Sequence, residues 1–194
     1  ASKFFKDVGL GFAPGLNIAN PEEECDVVLL TMGMAHKINQ TGYTILDEVV
    51  KTDSRSFQLR VTVAIHEGFD IGETFVNVPE QVGASWSSDL VFLGFLSDQA
   101  MSSELRKCDA VVIFPQLGAR ESNSSIIGAM AHGAAVVTAL DSNSPSWMVH
   151  GQTIIDVRQL KQFPSSEELN RIGRNAKEAV ESFTFENLAK DFLS

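Results

Sequence analysis

The chain has 194 residues, 44% of them apolar and 21% charged, with a formal charge of −10. That length suits one domain with a sizeable core, and leaves room for only a small second one. The acidic balance excludes a general binder of nucleic acid or anionic membrane, which needs a basic face, and no apolar run is long enough to be a transmembrane segment.

Residues 1–25 hold Gly9, Gly11, Gly15, two prolines and Glu22 to Glu24, and read as an irregular segment or linker. No signal peptide is visible, and Cys25 and Cys108 lack metal or redox spacing. Both are expected to be buried free thiols in a reducing, cytoplasmic compartment. From residue 26 to 194 strands and helices alternate. Asp26–Met32 is the first strand, Gly33–Gln40 a loop, and Thr41–Lys51 a helix with Leu46, Val49 and Val50 inward. Phe57–Ile65 is the second strand, followed by a loop at His66–Asp70 and a region to Ser88 expected to form a helix and a turn at Pro79. Leu90–Leu96 is the third strand, and Ser97 caps a helix ending at Lys107.

The stretch Asp109–Leu140 organises the rest. Ala110–Phe114 is short, apolar and β-branched, as a buried parallel strand should be. Pro115 stops it, and a polar loop runs to Ser124, where Asn123, Ser124 or Ser125 can cap a helix of small residues. Gly133 ends that helix, and Ala134–Leu140 returns as a strand. Such a βαβ unit places a ligand beyond the carboxyl end of its strand, facing helix N–H groups that favour an anion. A short helix near Pro145–His150, a strand at Thr153–Val157, a long helix opened by the capping box Ser165/Glu168, and a last helix after Phe183 complete the chain. The expected fold class is α/β, a Rossmann-like doubly wound parallel sheet without a second domain.

In order, the chain offers Phe92-Leu93-Gly94, Cys108-Asp109, Phe114-Pro115, Glu121-Ser122, Ala129-Met130-Ala131 with Gly133, Val136-Val137, Pro145 and Gly151. This set resembles the nucleotide-sugar-binding half of a GT-B glycosyltransferase, specifically the retaining family-four (group 1) enzymes. The tail from Ile172, IGRNAKEAVESFTFENLAKDFL, is similar to that family's closing segment, so the resemblance covers about residues 26–193.

The resemblance implies one half of a GT-B fold that binds a nucleotide diphosphate sugar and passes the sugar to a glycan, lipid or protein acceptor, as in polysaccharide biosynthesis. It implies Glu121 as the catalytic acidic residue. Gly33, His36, Lys37, Gly94, Phe95, Leu96, Arg120, Ser122, Asn123, Ser124 and Ser125 would be the donor-binding set. The leaving diphosphate would be stabilised by helix dipoles and basic side chains, with no metal and no cofactor beyond the donor itself. The acceptor would be held by an N-terminal domain or partner subunit missing from this sequence, so the chain is not expected to be active alone.

The chain departs from the family at three points. Gly128 stands where a second glutamate usually bonds the ribose, and Glu121 lies one position closer to it than usual. Met34 follows Gly33 where the family places arginine, leaving His36 and Lys37 as the nearby substitutes and Arg120 as another cation. These departures favour an alternative, a non-catalytic GT-B-like interaction or scaffold domain. An unrelated flavodoxin-like nucleotide binder lacks support, because there is neither a P-loop nor a G-x-G-x-x-G run.

Other residues have plainer roles. His132 reads as a partner for a helix C-terminus, and Arg171, Arg174 and Lys177 as a solvated helix face. Trp86 and Trp147 read first as buried area and only second as sugar-binding surfaces. His66 and His150 have no ligand partners at metal spacing, and Asp53 and Glu67 have no evident partner.

Overall fold

The computed structural model describes residues 24–33, 39–63, 82 and 85–183. The first 23 residues, most of the expected 66–88 region and the helix expected after Phe183 lie outside them. Among the described residues six parallel strands form one sheet: β1 (Val27–Gly33), β2 (Phe57–Val63), β3 (Asp89–Gly94), β4 (Ala110–Val112), β5 (Ala135–Thr138) and β6 (Ile155–Asp156). Their order across the sheet is β3-β2-β1-β4-β5-β6, so the chain winds outward twice from the centre. The expected doubly wound α/β fold is correct.

Burial explains why the central strands β1, β4 and β5 are mostly apolar, whereas β2 also carries Gln58, Arg60 and Thr62. Alternate residues feed two cores, one on each face. On one face Val27, Leu29, Leu59, Val61, Val112 and Val137 pack with Tyr43, Leu46 and Val50 of α1 (Gln40–Lys51). On the other, Leu30, Val111 and Val136 meet Leu105 of α2 (Asp98–Lys107) and Ile126, Ala129 and Met130 of α3 (Ser124–Ala131). The last described helix, α4 (Ser166–Val180), serves both cores: Leu169 and Ile172 enter the first, Ala176 and Val180 the second. Val49 is half-buried against the first core rather than fully inward.

The caps follow the sequence. Ser97 accepts a hydrogen bond from the Ala100 N–H, and Ser165 with Glu168 makes the reciprocal capping box. Gly133, at φ +79°, terminates α3 while its N–H reaches the Met130 carbonyl. His132 closes the same helix through Nδ1, 2.8 Å from the Gly128 carbonyl oxygen.

Four expectations need correcting. Residues 145–150 form turns rather than a short helix, because Thr153 pins that loop: its hydroxyl donates to the Trp147 carbonyl at 2.6 Å and accepts from the Val149 N–H at 2.9 Å. The strand expected over Thr153–Val157 is confined to β6, since Val157 enters a 3₁₀ turn capped by Asp156. Cys25 and Cys108 are free but only half-buried. Burial, with the charge of Asp109 adding to it, still pushes the Cys108 thiol up to about 12. Asp53 does have a partner, Arg55, which donates from Nε at 3.0 Å and Nη2 at 2.7 Å while its guanidinium lies over the Phe57 and Phe163 rings.

Candidate functional site

In this strand order the winding direction reverses between β1 and β4, and the crevice beyond their carboxyl ends is where open α/β sheets bind ligands. Two loops leave the sheet there, one after β1 and one after β4. They are tied together at their roots: the Asn39 N–H donates to the Phe114 carbonyl at 3.0 Å, and Asn39 Oδ1 caps α1 at the Thr41 N–H. Phe114 also fixes how closely α1 approaches. Its ring meets Tyr43 edge-on at 5.0 Å, and a Cβ on Gly42 would lie 2.2 Å from it. Gly33 ends β1 at this crevice. His36 and Lys37 follow it in sequence and lie outside the described residues.

The loop between β4 and α3 carries most of the remaining candidates. Arg120 is turned back onto its own loop and the next one. Its Nη1 donates to the Ala119 carbonyl at 2.7 Å and to Asp141 Oδ1 at 2.9 Å, and its Nη2 to Asp141 Oδ2 at 2.8 Å. The Arg120 guanidinium, with the Asn143 N–H, holds the Asp141 carboxyl down to about 2. Arg120 therefore stands in the site as half of an ion pair.

Asn123 is at the N-cap of α3, but its side chain makes no capping bond. Oδ1 instead accepts from the Arg120 N–H at 2.7 Å, folding the loop on itself. The first turn of α3 thus begins without a side-chain cap, with Ser124 exposed and Ser125 half-buried beside it. Sequence reasoning offered Asn123, Ser124 or Ser125 as the cap. The tight turn at residues 120–123 takes Asn123 away from that role.

Glu121 is exposed at the mouth of this loop, and the Trp147 Nε1–H donates to its Oε1 at 2.9 Å. Trp147 is half-buried and its ring leans on Phe183 at 5.4 Å. Sequence reasoning treated Trp147 first as buried area and only second as a sugar-binding surface. The one signal of a further role is its place two residues after Pro145, in the loop that follows β5. Gly128 lies within α3, and a Cβ built there meets nothing within 4 Å.

Gly94, Phe95 and Leu96 are at the carboxyl end of β3, the far edge of the sheet. Gly94 takes φ +71°, Phe95 is 56% exposed, and the β2–β3 register shifts between Val61 and Thr62 just before this end. Three strand spacings, about 14 Å, separate β3 from β4. The described candidates hence share one sheet edge in two groups, Gly94–Leu96 at its far side and Gly33 with Arg120–Ser125 at the switch point.

Among the described residues no cluster of three His, Cys, Asp or Glu is placed to hold a metal ion. None of their helices is long and apolar enough to cross a membrane.

No protein-family model matches the chain, and no curated protein sequence matches it. Solved structures do. Sucrose-phosphate synthase from Thermosynechococcus elongatus aligns with 99% of this chain and 47% of its own, at 13% identity and a TM-score of 0.59. HepE from Anabaena, solved in complex with UDP and glucose, aligns with 99% of this chain and 50% of its own, at 18% identity and a TM-score of 0.59. The excised C-terminal domain of a group 1 glycosyl transferase from Francisella tularensis aligns over 87% of this chain and 95% of that domain, at 16% identity and a TM-score of 0.53. The chain spans about half the length of the whole enzymes and nearly all of the excised domain. It has the fold of the C-terminal, Rossmann-like half of a GT-B glycosyltransferase.

Proposed function

We propose that the chain is the donor-binding domain of a glycosyltransferase and takes a nucleotide diphosphate sugar along the carboxyl edge of its sheet. The observation that carries this is the β4–α3 loop. At the switch point it presents a helix start without a side-chain cap, and a carboxylate beside it. An anionic diphosphate suits the first-turn N–H groups of α3, where the helix dipole is positive. Glu121, fixed by Trp147, is the group that would accept hydrogen bonds from sugar hydroxyls. The two groups of candidates span the sheet edge as an extended donor would, base toward Gly94–Leu96, ribose toward α3, and diphosphate and sugar toward Arg120–Ser125.

Transfer needs negative charge stabilised on the departing diphosphate, and prepositioned N–H dipoles do this without rearranging. Arg120 contributes through the positive lobe of its ion pair with Asp141 rather than as an independent charge. His36 and Lys37 stand as the proposed basic partners from the loop after β1. The acceptor and the rest of the machinery would come from an N-terminal domain or subunit.

A second function is favoured by Gly128 and by Asp141. Gly128 has no side chain to hold a ribose, and Asp141 already occupies the guanidinium of Arg120. Both fit a GT-B-like scaffold that has lost donor chemistry. Calorimetric titration with UDP, GDP and UDP-sugars, repeated with Glu121→Ala and Lys37→Ala, separates the two. Donor binding requires saturable heat that weakens in either variant. Absence of heat with every nucleotide, in folded protein, would leave the scaffold.

A further inference from the structure

Trp147 and Glu121 come from different loops, 26 positions apart in sequence, yet their side chains meet through one directed bond, indole N–H to Glu121 Oε1 at 2.9 Å. Each is prepared for the contact. Glu121 lies within the tight turn that the Arg120 N–H and Asn123 Oδ1 close at 2.7 Å. Trp147 is held on both sides of its backbone. The Met148 N–H donates to the Pro145 carbonyl at 3.0 Å, and the Thr153 hydroxyl takes the Trp147 carbonyl. Met148 itself is buried in the second core and anchors the loop. Phe183 then covers part of the indole ring, 43% exposed itself.

We infer that Trp147 is a positioning residue for Glu121, holding Oε1 so that Oε2 is presented to a hydroxyl of the donor sugar beside the start of α3. This deepens the donor-binding function proposed above and rests on it. An indole has one N–H and no acceptor, so it can fix one carboxylate oxygen and leave the other free to accept. A carboxylate on an exposed loop otherwise samples several rotamers, and ordering it in advance lowers the cost of binding. The nucleotide half of the donor makes no use of this bond. The effect should therefore fall on recognition of the sugar and spare the nucleotide.

The test compares Kd for UDP against UDP-glucose, and GDP against GDP-mannose, in wild type, Trp147→Phe, Glu121→Ala and the double variant. Trp147→Phe keeps an aromatic ring against Phe183 and removes the N–H. It should weaken the nucleotide sugar by about tenfold, as expected for a hydrogen bond to a charged group near the surface, and leave the bare nucleotide within about twofold. In the Glu121→Ala background the same substitution should have no further effect, because its action passes through Glu121. Equal weakening of nucleotide and nucleotide sugar, no weakening of either, or additive effects in the double variant would overturn the positioning role while leaving donor binding intact. A folded wild type that binds none of the four ligands would overturn the donor site itself, and the positioning role with it. Retained circular dichroism and the indole N–H resonance of Trp86 report folding in each variant.

Discussion

Arg120 and Asp141 form a two-pronged ion pair across the loops that follow β4 and β5, with contacts of 2.9 and 2.8 Å. Gly118 makes room for it. That residue has φ +76°, and a Cβ there would lie 2.6 Å from Asp141 Oδ2. Gly118→Ala should therefore be strained twice, by the left-handed backbone and by the displaced carboxylate. We expect a loss of about 1–2 kcal/mol from the backbone term alone, read as a lower denaturation midpoint. The Asp141 carboxyl should also move back up toward its ordinary value in a carbon-13 titration.

The pH dependence of that pair follows from the same geometry. Asp141 titrates at about 2 in the folded chain, depressed first by the Arg120 hydrogen bonds, against an ordinary value of 3.8. A depressed carboxyl binds its proton less readily when folded than when unfolded. Its contribution to stability is thus present above about pH 4 and disappears as pH falls through about 2. The loop amides of Asn143 and Ser144 should hold their chemical shifts down to pH 4 and change together below pH 3. Because the pair is open to solvent, the accompanying change in overall stability should be small.

Gly173 tests how α4 is seated. A Cβ at that position would lie 2.1 Å from the Gly133 carbonyl oxygen and 3.2 Å from the Ala135 backbone nitrogen. Both are main-chain atoms between α3 and β5, so the helix must move rather than a side chain. Gly173→Ala should cost about 1–3 kcal/mol, visible as a lower urea midpoint with little change in slope.

Gly128 predicts the opposite. A side chain there meets nothing within 4 Å, and the residue sits inside α3, where glycine is a poor helix former. Gly128→Glu should raise stability by about 0.5–1 kcal/mol. If the donor lies along α3, the same change should tighten UDP-glucose or GDP-mannose by supplying an acceptor for ribose hydroxyls. Unchanged affinity together with raised stability would separate the helix effect from the donor effect.

Much of this architecture was legible because the buried central strands are short, mostly apolar and rich in β-branched residues. Ala110–Val112 and Ala135–Thr138 lie inside the runs expected for them, and the Ser165/Glu168 capping box and the Gly133 stop carry their own local signals. The site was less legible, because its contacts join loops that the sequence keeps apart. Nothing near Arg120 announces Asp141, which is 21 positions away, and nothing near Glu121 announces Trp147. Asn123 reads as a cap by residue type, but a turn of three residues gives its oxygen a nearer donor. Pro145–His150 reads as a short helix, yet the Thr153 hydroxyl takes backbone groups that such a helix would use.

The most direct test of the donor site is an amide nitrogen–proton correlation spectrum of the nitrogen-15-labelled chain, titrated with UDP-glucose and, separately, GDP-mannose. A donor seated along this edge should give saturable shifts concentrated at the Ser124–Ile126 amides, the Trp147 indole N–H and Gly94–Leu96. No shifts with either nucleotide sugar, or shifts confined to the opposite edge of the sheet around Asp53–Phe57, would contradict the donor site.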